Sequence, residues 1–215
     1  AASEGERRAH VPDQIFPTDN DWGVPTLDIT MQAQGVSAPV LGWGSVKRTS
    51  RNQGTWAFYI DDYRFSAVWD DPSRVSDTGC VAIIEPNYTI SPIMPRAMAL
   101  YAIYRKRYLA RLWQQQGIRV FVDLNVCEPN LSAVGMLGVP QGWRAYATHG
   151  AETDPESTVH EWEIACQRAG TEDVLFLVYG GGRATKMLCQ QRGWVFVPDY
   201  MGKRANGMRE VFDGE

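Results

Sequence analysis

Apolar residues along this chain gather in short runs at 56–61, 80–85, 118–123, 143–148, 174–179 and 194–198, separated by stretches with helical spacing. Runs this short and rich in Val, Ile, Phe and Tyr read as strands, and VLFLV, apolar throughout, reads as a strand buried on both faces. Short strands alternating with helices pair in parallel through right-handed crossovers. The pattern therefore predicts an α/β fold with a mostly parallel sheet of about six βα units. Polar residues close nearly every strand, as they do when all loops face a common mouth. This favours a TIM-barrel-like or incomplete barrel over an open doubly wound sheet.

Two helices are marked by their ends. The segment MPRAMALYAIYRKRYLARLWQQQG is opened by Pro95 and closed by Gly117, the residues favoured at those positions. At about 100° per residue, Ala97, Tyr101, Tyr104, Tyr108 and Leu112 share a face expected to lie on the sheet, with Arg96, Lys106, Arg107 and Gln114 opposite. A second helix is expected over about 155–168, with Asp154 as N-cap, Pro155 at the first position, and Val159, Trp162, Cys166 and Ala169 on one side. Residues 1–54, rich in Gly, Pro, Ser, Thr and Asn, read as an irregular N-terminal arm, 55–200 as a single α/β domain, and 201–215 as a polar tail.

A chain of 215 residues with 44% hydrophobic and 11% aromatic content supports one full core. Cys80, Cys127, Cys166 and Cys189 lie far apart without a CxxC pair, so a reduced, cytoplasmic protein is expected rather than a disulfide framework. With no apolar run of about 18 residues and no signal-like N-terminus, no membrane association is expected. Charge changes the picture more. Between Pro86 and Val122 lie Arg96, Arg105, Lys106, Arg107, Arg111 and Arg119 and no acid, so against −4 overall the rest of the chain carries −10. Segregation of this kind, if kept in space, would steer an anionic partner such as nucleic acid or a nucleotide to that element.

The strongest candidate chemistry sits at three successive strand ends: Asp61 and Asp62, Glu85 with Asn87, and Asp123 with Asn125. Carboxylates converging at one mouth can divide general acid and base roles. Asp61, Asp62 and Glu85 could also ligate Mg²⁺ or Mn²⁺ through hard oxygens. Equally, single strand-end acids cap turns or pair with arginines. Arg105 falls beside the tyrosine stripe, where a guanidinium is costly without an anionic partner. Arg107 with Arg111 offers a phosphate-contacting edge, the alternative being a solvated face. Gly180, Gly181 and Gly182 follow the VLFLVY strand and precede Arg183 and Lys186 in a helix start, a place where backbone N–H groups hold anions. A tight turn accounts for three glycines as well, and the spacing is neither Walker A nor GxGxxG. His149 is the one histidine at a predicted strand end. No HxH, HExxH, Cys/His cluster or GxSxG context is present, which leaves zinc and serine-hydrolase chemistry without support.

From Trp56 to about Thr148 the phrases FYIDDYRFSAVW, EPNYTI, the MP before the long helix, YRKR, WQQQGIRV and LGVPQGW occur in order. In that ordered series the chain resembles DUF4417, a family of bacterial and phage proteins. The resemblance implies a mobile-element setting and carries no activity with it. It singles out the Asp61–Phe65 unit, with Arg64, and the Tyr104–Arg107 unit. Many members have Pro-Asp-Phe-Ser where this chain has Pro86, Asn87, Tyr88 and Thr89, so Glu85 would have to stand in for that acid. Asp123 and the triple glycine look less general in the family.

Three functions remain open at this level. The first is action on nucleic acid or a nucleotide by metal-assisted hydrolysis or phosphoryl transfer, with Asp61, Asp62, Glu85 and Asp123 at the centre and Arg64, Arg105 and Arg107 on phosphate. The second is a non-catalytic DNA-, RNA- or protein-binding module for replication or partition of a mobile element. The third is a small-molecule enzyme with a phosphate site at Gly180–Gly182, extended by Arg183.

Overall fold

The computed structural model describes residues 14–44, 51–91, 93–124, 134–153 and 155–199. Seven strands lie side by side in chain order: β1 (Val40–Gly42), β2 (Thr55–Ala57), β3 (Ala82–Ile84), β4 (Arg119–Asp123), β5 (Ala145–His149), β6 (Leu175–Tyr179) and β7 (Val195–Val197). Every neighbouring pair is parallel. Helices α1 (Asp62–Asp70) and α2 (Ser73–Ser76) link β2 to β3, and α3 (Arg96–Gln115) links β3 to β4. Farther on, α4 (Glu156–Ala169) links β5 to β6 and α5 (Arg183–Arg192) links β6 to β7. The sheet curls until distant strands meet: Tyr59, just past β2, stacks on Tyr179 of β6 with ring centres 5.4 Å apart. A Cβ on Gly42 of β1 would stand 3.1 Å from the Tyr179 hydroxyl. The result is a nearly closed parallel barrel.

Strand alternation sorts the core into two layers. Ala57, Ile84, Phe121, Ala145, Ala147, Leu177 and Tyr179 fill the interior. Their neighbours Trp56, Ile83, Val120, Val122, Tyr146, Phe176 and Val178 pack outward. Alanines on β2 and β5 leave the interior volume that Phe121 and Tyr179 occupy.

The strands expected from the apolar runs are all present, shorter at several ends, and a seventh is added. That strand, β1, comes from the region read as an irregular arm, which is built into the domain. Phe16, Val24, Leu27 and Trp43 are core residues, and the segment after Leu27 closes the base of the barrel. There Gln32 bridges Val120 in parallel, Ala33 N–H donates to the Val120 carbonyl at 2.9 Å, and Arg119 donates to the carbonyls of Thr30 and Gln32 at 3.3 and 3.0 Å. Helix α4 ends at Gly170 in the left-handed conformation, φ 69°, which glycine adopts without a steric penalty. Asp154, Asn125, Cys127 and the 201–215 tail lie outside the described residues.

Helix α3 corrects the expected facing. Its buried side is Ala99, Ala102, Ile103, Lys106, Leu109, Ala110 and Trp113 together with Arg107, Tyr108 and Gln114, whereas Ala97 and Tyr101 are exposed. The small side chains of Ala99, Ala102 and Ala110 on this side, at i, i+3 and i+11, let the helix approach the sheet closely. Tyr108 packs instead on Phe16 and Trp69, ring centres 5.4 and 5.6 Å away. Lys106 and Arg107 can be buried because strand-end acids neutralise them.

Candidate functional site

Glu85 and Asp123 are brought together, and behind rather than inside the mouth. Both are buried. The Lys106 ammonium donates to the Asp123 carboxylate at 2.7 Å and to its carbonyl at 2.9 Å. Arg107 pairs with the Glu85 carboxylate through one terminal nitrogen. Its other donors reach the carbonyls of Gly135 and Leu137 at 2.7 and 3.0 Å. The same Glu85 oxygen accepts the Asp123 backbone N–H at 3.1 Å. Two ion pairs thus form one connected, desolvated network at the ends of β3 and β4. Arg107, expected on phosphate, is fully buried and committed to this network.

Asp61 and Asp62 part company at the start of α1. The Asp62 carboxylate accepts the Thr89 N–H at 3.1 and 3.2 Å and the Thr89 hydroxyl at 3.0 Å, pinning the loop between β3 and α3. Asp61 stands at the N-cap position, yet its side chain makes no cap hydrogen bond. Among the described residues its exposed carboxylate has no hydrogen bond or ion pair. Asp61, Asp62 and Glu85 therefore point to three different surroundings, and no trio of His, Cys, Asp or Glu among the described residues is arranged to hold a metal ion. These residues do not fit the Mg²⁺ or Mn²⁺ site expected of them.

What lies beside Asp61 is a pocket of about 320 Å³ at the carboxyl ends of the strands, lined by Tyr59, Ile60, Asp61, Asn87, Thr89, Ile90 and His149. The His149 imidazole, exposed at the end of β5, lies 5.3 Å from the Tyr59 ring centre and 6.5 Å from that of Tyr179. The Tyr59 hydroxyl donates to Asp123 at 3.1 Å. Its burial, then the charge and hydrogen bond of Asp123, then the fields of Glu161 and Glu85 push the phenol well above its ordinary value, so it stays a neutral donor. Tyr59 and Tyr179 were missed as site residues. Their parity was a legible signal: both follow inward-facing Ala57 or Leu177 by two positions, at strand ends.

The six cations between Pro86 and Val122 do not make a basic surface. Lys106 and Arg107 are internal, Arg119 binds carbonyls at the base, and the Arg111 guanidinium lies 5.4 Å from the Phe16 ring centre. Arg105 lies between Tyr88 and Tyr101, and Arg96 is exposed. Arg64 and Arg183 are exposed at the first turns of α1 and α5.

The triple glycine is shaped by close backbone approach. A Cβ on Gly182 would lie 2.2 Å from the Glu152 carbonyl oxygen. A Cβ on Gly181, at φ 94°, would lie 3.0 Å from Gly150. Gly180 N–H donates to Val197 at 2.8 Å and Gly182 N–H to Ala151 at 3.3 Å, so two of the three amides expected on phosphate are used within the fold. Gly180 also seats His149, whose Nε2 would be 3.2 Å from a Cβ there.

A larger hollow of about 490 Å³ opens at the opposite, amino-terminal end of the strands, lined by Thr30, Gln32, Gln34, Arg144 and Asp173 among others. Its size does not make it the site. Arg144 pairs with Asp173 at 3.3 Å, and the Gln32 side chain accepts the Arg144 N–H at 2.7 Å.

Fold and site define a parallel α/β barrel protein with a polar and aromatic pocket at the carboxyl ends of its strands, where barrels of this class keep their chemistry. The model of the family described as domain of unknown function (DUF4417) matches residues 16–169, and the chain belongs to that family. It is similar to the Gene 1 protein of Mycobacterium phage D29, 31% identical over 134 residues that cover 59% of this chain and 48% of the relative. It is also similar to the Gene 1 protein of Mycobacterium phage L5, 28% identical over 132 residues covering 59% and 56%. The chain thus spans about half the length of these curated relatives. No solved structure matches it. The family match takes in Asp61, the buried ion pairs and His149, and it ends before Gly180–Gly182 and α5. No helix among the described residues is long and apolar enough to cross a membrane.

Proposed function

We propose that the barrel mouth is an acid–base site acting on a nucleotide or on the end of a nucleic-acid strand. The observation that carries this reading is Asp61, a carboxylate at a helix start that caps nothing and shares a pocket with the exposed imidazole of His149. An uncommitted acid and an uncommitted imidazole lining one pocket offer what proton transfer requires, one group taking a proton while the other gives one. The rings of His149, Tyr59 and Tyr179 offer a planar ligand a stack to continue. Behind the pocket, the Tyr59 hydroxyl is held by Asp123, and Asp123 by Lys106. A buried ion pair is an expensive way to stabilise a fold, and one placed directly under a pocket holds the pocket's rings in position. The exposed Arg183 and Lys186 at the start of α5 supply positive charge on the His149 side for a phosphate. The reading includes no metal step, because the acids expected to bind one do not converge.

The test is a melting-temperature screen against nucleoside mono- and triphosphates and short single strands, with the His149 imidazole followed by NMR. At least one of these should raise the melting temperature and shift the His149 resonance, and His149→Ala should remove the stabilisation. A panel that leaves both readouts unmoved rejects the reading.

A further inference from the structure

Arg105 is the charge that the site just described does not use. It sits on α3, half-buried, with its guanidinium carbon 3.9 Å from the centre of the Tyr88 ring and 4.8 Å from that of Tyr101. Its Nε is buried without a hydrogen-bond partner, and no carboxylate or carbonyl among the described residues accepts from it. The contrast with the next two residues is sharp. Lys106 and Arg107 each have a carboxylate at contact distance, whereas the acids whose charge reaches Tyr88, Asp62 and Asp70, make no ion pair with Arg105. Asp62 is occupied by Thr89.

Two tyrosines hold the guanidinium plane and add cation–π attraction, but they take none of its N–H donors. A planar fork fixed in this way is prepared for a bidentate oxyanion. Its flank is aromatic and open on one side: Tyr101 is 51% exposed. A cation beside exposed rings is how proteins hold a phosphate and the base attached to it. The nearby acids oppose a dense polyanion such as a duplex, which leaves single strands as the class that fits.

The geometry points to Arg105 and Tyr101 as a phosphate-and-base contact for single-stranded nucleic acid, outside the mouth. The loop between β3 and α3 connects the two places. Asn87, Thr89 and Ile90 face the mouth pocket, while Tyr88 turns back onto Arg105. A strand seated on Arg105 and Tyr101 crosses this loop to present its end to Asp61 and His149. The proposal rests on the mouth reading for where the strand leads, and stands without it for the contact itself.

The experiment measures binding of a labelled short oligothymidylate by anisotropy, with thymidine monophosphate and inorganic phosphate as competitors, for wild type, Arg105→Gln, Arg105→Lys and Tyr101→Leu. Arg105→Gln and Tyr101→Leu should each weaken the oligonucleotide by about tenfold. Arg105→Gln should also flatten the salt dependence, and Arg105→Lys should recover charge without the fork and so only part of the affinity. Equal affinity in wild type and both Arg105→Gln and Tyr101→Leu overturns the proposal. Competition by thymidine monophosphate at concentrations equal to the oligonucleotide's overturns the strand as ligand. If Arg105→Gln does not fold, the exposed Tyr101→Leu decides alone. A His149 resonance that ignores nucleotides while Arg105→Gln loses the oligonucleotide removes the mouth reading and keeps this one.

Discussion

The two ends of this barrel treat their polar groups in opposite ways. At the base, the polar groups named above are matched within the chain. Gln114 accepts the Asp28 N–H at 2.8 Å and donates to the Asp28 carbonyl at 2.9 Å, Arg119 takes two carbonyls, and Gln32 takes the N–H of Arg144. At the mouth, the matched groups lie one layer down, in the Lys106–Asp123 and Arg107–Glu85 pairs, while Asp61 and His149 at the surface of the pocket are left over. A fold closes its base to be stable. Groups it leaves uncommitted over a layer of paired charges are the ones available to a ligand.

The largest expected effect comes from breaking the layer under the mouth. Arg107→Ala leaves Glu85 charged and buried without its cation, and should cost about 3–5 kcal/mol. In denaturant unfolding that is a large share of a total of roughly 5–15 kcal/mol. Adding Glu85→Gln to Arg107→Met should recover much of it. If Arg107→Ala is as stable as the wild type, the committed layer described here is wrong.

At the base, Gln114→Ala removes both bonds to Asp28 and leaves a part-buried N–H and carbonyl without that partner, for a loss of about 1–2 kcal/mol. Because the base is structural, this variant should answer nucleotides in the melting screen as the wild type does. A changed ligand response with unchanged stability would move the site to the other end.

The smallest effect separates neighbours. Asp62→Ala should cost about 1 kcal/mol through loss of the Thr89 bonds, whereas Asp61→Ala should alter stability by no more than about 0.5 kcal/mol, since its carboxylate caps nothing. Asp61→Ala should nonetheless weaken the nucleotide-induced shift. Comparable destabilisation by both would mean that Asp61 caps α1 in solution.

Much of this architecture was legible beforehand, since strand periodicity and the Pro and Gly at helix ends act locally. The facing of α3 was not. A tyrosine stripe opposite a Lys-Arg pair reads as apolar against charged, and only contact with Glu85 and Asp123 reverses it. Strand β1 escaped for a similar reason: three residues among Gly and Pro become a strand because a sheet edge is there to receive them. The site was half visible. His149 and Asp61 stood at predicted strand ends, but Tyr59 and Tyr179 come into play only when the sheet curls and brings β2 against β6.

By itself the sequence determined the alternation of strands and helices, the parallel sheet and the positions of acids at strand ends, because these follow from side-chain periodicity within a dozen residues. Tertiary structure alone decided which acids are committed. Asp61 and Asp62 are the same residue type one position apart. The carboxylate of one is bonded to Thr89, 27 residues away, and that of the other has no hydrogen bond or ion pair among the described residues. Arg105 and Arg107 divide the same way, by what the fold brings to within hydrogen-bonding distance of each.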